Sequence, residues 1–234
     1  MMTQGIELLS VHIPKTGGVT FGNILTQVYG REAVVWDYDD RPLDPKSPFN
    51  ADHAAWLARS SKELAALPDT ARVVHGHFPL SKYHDRLHAV RSVVWVRDPV
   101  RRLISHYAYW MRTPPDEHSL HRRVKDGGMG LLEFAEIAQL RNCVAEVFLR
   151  DIDLRSLYFV GVQEHFAEDV RTLAGLLSWP TFEMDTLNVN DEHGYQAMQI
   201  SDALYARVAD LNRQDMKLYR WALAERRRRK RSPR

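Results

Sequence analysis

Three stretches hold residue types suited to anion chemistry. The first is HIPKTGGVTF, residues 12–21, where Lys15 stands just ahead of Gly17 and Gly18. Glycines at such a turn permit close approach of a ligand, and the N–H groups of a turn and helix start face an anion. Lys15 adds a mobile positive charge at the same place. Chemically this is a phosphate cradle; an ordinary strand-to-helix turn with a surface lysine is the competing account. The second stretch is RDPVRRLISHY, residues 97–107. Asp98 suits a helix N-cap and Pro99 a first helical position. Arg97 precedes that helix, and Arg101 and Ser105 share one face of it. A guanidinium and a hydroxyl near a helix start make a second anion site. The third is RVVHGHFPL, residues 72–80, where His75 and His77 flank Gly76. Residues two apart in a strand share a face, so both can project at its carboxyl end. Either could take a proton from a hydroxyl near neutral pH; either could equally be a core histidine. A zinc pair is the weaker reading, because no third ligand stands at a recognisable spacing.

These loops need a frame that brings them together. IELLSVHI, RVVHGHF, RSVVWVRD and SLYFVGVQE read as buried strands, with EAVVWDY as a weaker fifth. Helical patterns lie between them: GVTFGNILTQVYG, ADHAAWLARSSKELAAL, PVRRLISHYAYWM, GLLEFAEIAQLRNCVAEVFL and HFAEDVRTLAGLL. A last one opens at Ser201 as N-cap, in SDALYARVADLNRQDMKLYRWALAERR. Alternating strands and helices imply a mainly parallel sheet of about five strands, covered on both faces. Ligands in such sheets sit beyond the carboxyl ends of the strands. DYDDRPLDPKSPFN and RTPPDEHSLHRRVKDGGMG read as irregular loops able to line a substrate cleft.

With 234 residues and 44% hydrophobic content, one domain over residues 1–225 is expected, followed by a basic disordered tail over 226–234. That tail carries seven of the positive charges behind a net +2, so the body is mildly acidic. A basic body for nucleic acid is therefore excluded, leaving only the tail for such a partner. The single cysteine, Cys143, allows no intrachain disulfide and suits a reducing, cytoplasmic setting. It reads as a small buried apolar residue. No apolar run reaches membrane-spanning length, and the N-terminus lacks a secretory pattern.

The order P-K-T-G-G resembles the 5′-phosphosulfate loop of the sulfotransferases, which take a sulfuryl group from 3′-phosphoadenosine 5′-phosphosulfate (PAPS). It is closest to the carbohydrate 2-O-sulfotransferase-like and bacterial branch. RDPVRRLISHY resembles that family's 3′-phosphate element, with Arg97 and Ser105 in the matching positions. The H-x-H of the uronyl 2-O-sulfotransferases is similar to His75-Gly76-His77. YFVGVQEHFAEDVRTLAGLL (with Gly161 and Glu164), LNVN at residues 187–190 and NRQDMKLYRWA fit its later pattern. The resemblance implies a P-loop-like three-layer α/β/α fold and PAPS as co-substrate, with no metal. It assigns the base to His77, a supporting role to His75 and leaving-group stabilisation to Lys15. Thr16, Gly17, Gly18, Val19 and Thr20 would hold the 5′-phosphate, and Arg97 and Ser105 the 3′-phosphate. Val19 departs from the hydroxyl residue that many relatives carry there. RNCVAEVFL keeps only Asn142 of a polar substrate-side motif. His12 and His106 flank the loops and read as structural, with ligand contact open. The acceptor implied is a free hydroxyl on a glycan or small metabolite.

Two other readings compete. A P-loop-type kinase would use ATP and Mg²⁺, but its G-x-x-x-x-G-K-[ST] pattern puts Lys after the glycines, the reverse of the order here. An inactive nucleotide-binding protein would act through the basic tail.

Overall fold

The computed structural model describes residues 5–86, 90–115, 119–184 and 200–231. Five strands form one sheet: β1 (Leu8–Val11), β2 (Val34–Asp37), β3 (Val73–Gly76), β4 (Arg91–Val96) and β5 (Phe159–Val162). Their order is β2-β3-β1-β4-β5, and every adjacent pair is parallel. All five expected strands are present. The described helices are α1 (Gly18–Tyr29), α2 (Pro48–Ala51), α3 (His53–Ala65), α4 (Pro99–Arg112), α5 (Ser119–Asp126) and α6 (Leu131–Ala135). They continue with α7 (Phe166–Leu177), α8 (Asp202–Leu211) and α9 (Arg213–Arg231).

The two-residue period of the strands divides the core into two layers. Leu8, Val93, Trp95 and Phe159 pack with Phe21 and Ile24 of α1 and with Val170 and Leu173 of α7. Leu9, Val11, Val94, Val96, Val160 and Val162 pack on the opposite face with Leu103, Ile104, Val208 and Leu218 of α4, α8 and α9. This is the expected α/β/α sandwich. The chain leaves β1 for one face through α1 and leaves β4 for the other through α4. The neighbouring carboxyl ends of β1 and β4 therefore form the switch point at which such sheets bind ligands.

Three expectations change. The single amphipathic helix read over GLLEFAEIAQLRNCVAEVFL is broken into α6, a 3₁₀ turn at Ala138–Leu140 and a π-helical turn at Val144–Phe148. Asn142 sits at φ 49°, and its Oδ1 accepts from Gln214 N–H at 3.0 Å. In return Asn212 Oδ1 accepts from Asn142 N–H at 3.1 Å, and buried Asp215 accepts from Val144 and Ala145 N–H at 3.2 and 2.8 Å. Each segment caps the other, and partners seventy residues away override the local helical pattern. The same Asn212 splits the last predicted helix into α8 and α9. Ser201 caps α8 as expected, accepting from Leu204 N–H at 3.2 Å.

The second change is α5, which forms inside a stretch read as irregular because Leu120, His121 and Val124 are buried there. The third concerns the tail. Helix α9 continues through Arg231, so residues 226–231 are helical rather than disordered. Arg226 is buried and donates through Nε to Asp169 at 2.7 Å, and it also pairs with Glu168. Arg229 donates to the Val160 carbonyl at 3.0 Å and lies over the Phe159 ring. Strand β5 is a sheet edge, and Arg229 takes up one of its backbone carbonyls.

Candidate active site

The loop after β1 has an unusual backbone. Lys15 has φ 70° and Gly17 φ 89°. The first is uncommon for a residue with a Cβ, and such outliers cluster where a loop is held for function. Gly17 is the N-cap of α1 and makes no side-chain cap, and the first turn carries no acidic residue. The leading N–H groups of α1 thus point toward the loop. Gly18 is needed for a different reason. A Cβ there would fall 1.8 Å from the His12 ring, so His12 occupies the space of the missing side chain. Thr16 is fully buried, and its hydroxyl donates to the Ile13 carbonyl at 2.8 Å.

The loop after β4 is held from three directions. Asp98 accepts from Val100 and Arg101 N–H, each at 3.0 Å, and so caps α4 itself. Asp98 also accepts from the Tyr205 hydroxyl at 2.9 Å, and its own N–H donates to Glu164 at 2.9 Å. With α4 already capped, an anion at this loop depends on side chains. Arg97 is buried and donates through Nη1 to the Lys15 carbonyl at 3.2 Å. Ser105, two turns into α4, is 2% exposed, and its hydroxyl has no hydrogen-bond partner among the described residues. A buried hydroxyl left without a partner fits a site completed by a ligand oxygen.

His77 lies just beyond β3. Its Nδ1 forms a short hydrogen bond to the His12 carbonyl. A carbonyl only accepts, so Nδ1 carries the proton and Nε2 keeps its lone pair. His75 is fully buried and pairs through Nδ1 with the Ser10 hydroxyl at 2.8 Å. The His12 ring packs against both, 5.3 Å from His75 and 4.3 Å from His77 by centroid. Burial first, then the charge of His77, pushes His75 down to about 3, against a backbone contact with Gly18. Burial likewise pushes His77 down to about 4, opposed by its bond to the His12 carbonyl. His12 is held well below the usual histidine value by burial, then by His77, His75 and Lys15. All three rings are neutral at pH 7.

Above these loops opens a cleft of 410 Å³ whose wall includes Lys15, Gly17, Gly18, Val19, His12 and His77. Tyr38, Arg41 and Leu43 come from the Asp- and Pro-rich loop after β2, and His106, Tyr109 and Trp110 from α4. That loop is anchored underneath by buried Lys82, which meets Asp37 at 2.8 Å and Asp40 at 2.9 Å. The Lys15 ammonium lies 4.6 Å from the Tyr109 ring centroid. The structure therefore gathers Lys15, Gly17, Gly18, Val19 and His77 at one cleft, with Arg97 tied to its floor. His75, Thr16 and Ser105 do not line it, and Thr20 is buried in α1. Asn142 caps α9 instead of facing the cleft. Cys143 is buried, and burial pushes its thiol up to about 12. LNVN lies outside the described residues. Among the described residues, no group of three or more His, Cys, Asp or Glu is placed to hold a metal ion. No helix among them is long and apolar enough to cross a membrane.

Tyr38, Tyr109 and Trp110 were not singled out from the sequence. Two signals were available. Tyr38 sits in the loop expected to line a cleft, and His106, Tyr109 and Trp110 follow Ser105 at helical spacing.

The model of the sulfotransferase family matches residues 1–141. Curated protein sequences include no match. Solved structures similar to this chain include a sulfotransferase from Alicyclobacillus acidocaldarius, at 18% identity and TM-score 0.42, over 92% of this chain and 98% of that one. A mouse sulfotransferase, SULT7A1, complexed with PAP is similar at 13% identity and TM-score 0.43, over 89% of this chain and 63% of that one. A retinol dehydratase in a complex with retinol and PAP is similar at 13% identity and TM-score 0.41, over 93% and 82%. The matched segment runs through Lys15, His77, Arg97 and Ser105, and the chain belongs to the sulfotransferase family, the PAPS-dependent enzymes whose loops it resembles.

Proposed function

We propose that this protein transfers the sulfuryl group of PAPS to an acceptor hydroxyl, on a glycan or a small metabolite. The observation that carries the reading is the Arg97–Lys15 hydrogen bond at 3.2 Å, which joins the loops after β1 and β4. When bound, PAPS supplies an activated sulfuryl group on its 5′-phosphate. The N–H groups of Thr16 through Thr20 hold that phosphate at the uncapped start of α1. Arg97 and the buried Ser105 hydroxyl hold the 3′-phosphate. Lys15 neutralises charge that builds on the leaving oxygen. His77 takes the acceptor proton through Nε2, the nitrogen its bond to His12 leaves unprotonated. An anion bound beside His77 favours its charged form and raises its basicity from the low resting value. His75 supports the arrangement from below, stacked on His12. Tyr38, Tyr109 and Trp110 offer ring faces for the acceptor. Lys15 and N–H groups provide the charge stabilisation, so no metal is required. A reducing compartment fits the lone buried thiol.

The test is calorimetry with adenosine 3′,5′-diphosphate, AMP and ATP, with and without Mg²⁺, followed by an acceptor screen with labelled donor. Tighter binding of the 3′,5′-diphosphate than of AMP, independent of Mg²⁺, supports the reading. Preference for ATP with Mg²⁺ would establish the kinase alternative in its place.

A further inference from the structure

Sulfuryl transfer as proposed uses Lys15 and His77 and leaves the ring of His12, beside His77, without a task. We propose that Tyr38 is a positioning residue whose hydroxyl donates to His12 Nδ1, so that neutral His12 presents an Nε2–H as a further donor to the transferring group. This assignment rests on the transfer reading for its chemical meaning; the Tyr38–His12 contact is given by geometry, and the direction of its hydrogen bond is what is proposed.

Tyr38 Oη lies 2.9 Å from His12 Nδ1. A ring nitrogen that accepts leaves the proton of a neutral imidazole on the other nitrogen. Burial pushes the Tyr38 phenol up to about 12, so the hydroxyl stays protonated and is available as a donor. The far edge of the His12 ring, Cδ2 and Nε2, rests on Gly18 at the start of α1. His75 stacks on the ring at an interplanar angle of 19°, and His77 lies 4.3 Å away. Turning the ring over would break the Tyr38 bond and move Nε2 off the loop. Lys15 is close enough to disfavour a charged His12, so a neutral N–H donor can sit beside the ammonium without repulsion. Its position, against Gly18 and on the cleft wall with Lys15, is where a 5′-phosphosulfate would lie.

The experiment is long-range ¹H–¹⁵N correlation of the imidazoles in ¹⁵N-labelled full-length protein, with kinetics of three variants. The expected result is an Nε2–H tautomer at His12 that becomes mixed in Tyr38→Phe. Tyr38→Phe should lower kcat about tenfold with donor KM nearly unchanged, the scale seen for residues that orient a functional group. His12→Gln, whose amide nitrogen reaches the Nε2 position, should retain more activity than His12→Asn, whose amide reaches only Nδ1. An Nδ1–H tautomer in the wild type, or an unchanged spectrum and kcat in folded Tyr38→Phe, overturns the proposal. An Nε2–H tautomer lost in Tyr38→Phe, in a protein that fails to bind adenosine 3′,5′-diphosphate, would keep the Tyr38–His12 assignment and remove the transfer reading instead.

Discussion

Arg97 and Lys15, eighty-two positions apart, are joined by a hydrogen bond from the guanidinium of one to the carbonyl of the other. The bond does two things at once. It holds the Lys15 backbone in its left-handed conformation, and it fixes the guanidinium at the seam between β1 and β4. Arg97→Ala removes both. Affinity for adenosine 3′,5′-diphosphate should fall roughly 10- to 100-fold, the scale of a lost charge-assisted hydrogen bond. Calorimetry reads it directly, and wild-type affinity in the variant would take the 3′-phosphate away from Arg97.

Ser105 separates ligand binding from folding. Its buried hydroxyl has no partner among the described residues, so Ser105→Ala removes an unsatisfied polar group and puts a better helix former in α4. Melting temperature should hold or rise. Affinity for the 3′,5′-diphosphate should drop about 3- to 10-fold, with AMP affinity unchanged. Equal losses for both nucleotides would place Ser105 away from the 3′-phosphate.

The buried histidines make stability depend on pH with a definite sign. His75 and His77 titrate at about 3 and about 4 in the fold, against 6.5 when unfolded. Between those values the unfolded chain binds more protons. Stability is therefore complete above pH 6.5 and is lost as pH falls toward 4 for His77 and toward 3 for His75, at up to about 1.4 kcal/mol per pH unit for each histidine. Urea titrations between pH 7 and pH 5 measure the slope. His75→Asn should flatten it, and an unchanged slope would mean that His75 is already accessible to protons in the fold.

The same shift at His77 bears on rate. A base that must be unprotonated in the free enzyme, with its pKa at about 4, leaves kcat/KM level from neutral pH down to about 5. Below that it should decline. An acid limb centred near 6.5 would point to a base other than His77 as it stands here.

Arg226 is a structural residue in a run that reads as a tail. It joins buried Asp169, which also accepts from the Val162 N–H at 2.9 Å. Arg226→Ala leaves that carboxylate buried without its cation, a loss of about 3–5 kcal/mol by denaturant unfolding. Truncation after Glu225 should cost at least as much, because Arg229 also leaves the β5 edge. A truncated chain as stable as the full one would restore the picture of a dispensable tail.

The sequence by itself determined the strands, their parallel arrangement and the glycine and Asp-Pro turns that follow β1 and β4. Those features are local: buried strands need continuous apolar runs, Asp98-Pro99 starts a helix, and Gly17 permits a turn that few residues tolerate. It also determined that one histidine of His75-Gly76-His77 could serve as a base, without saying which. Tertiary structure gives the two different surroundings. His77 stands past the strand end at the cleft, and His75 lies under it, bonded to Ser10. Tertiary structure alone also brought Arg97 to the Lys15 carbonyl, His12 onto Gly18 and Tyr38 onto His12. It broke the helix around Asn142 and drew the arginine run against β5. Each of these is a contact between residues far apart in the chain, whose energy comes from burial and pairing that no local pattern records.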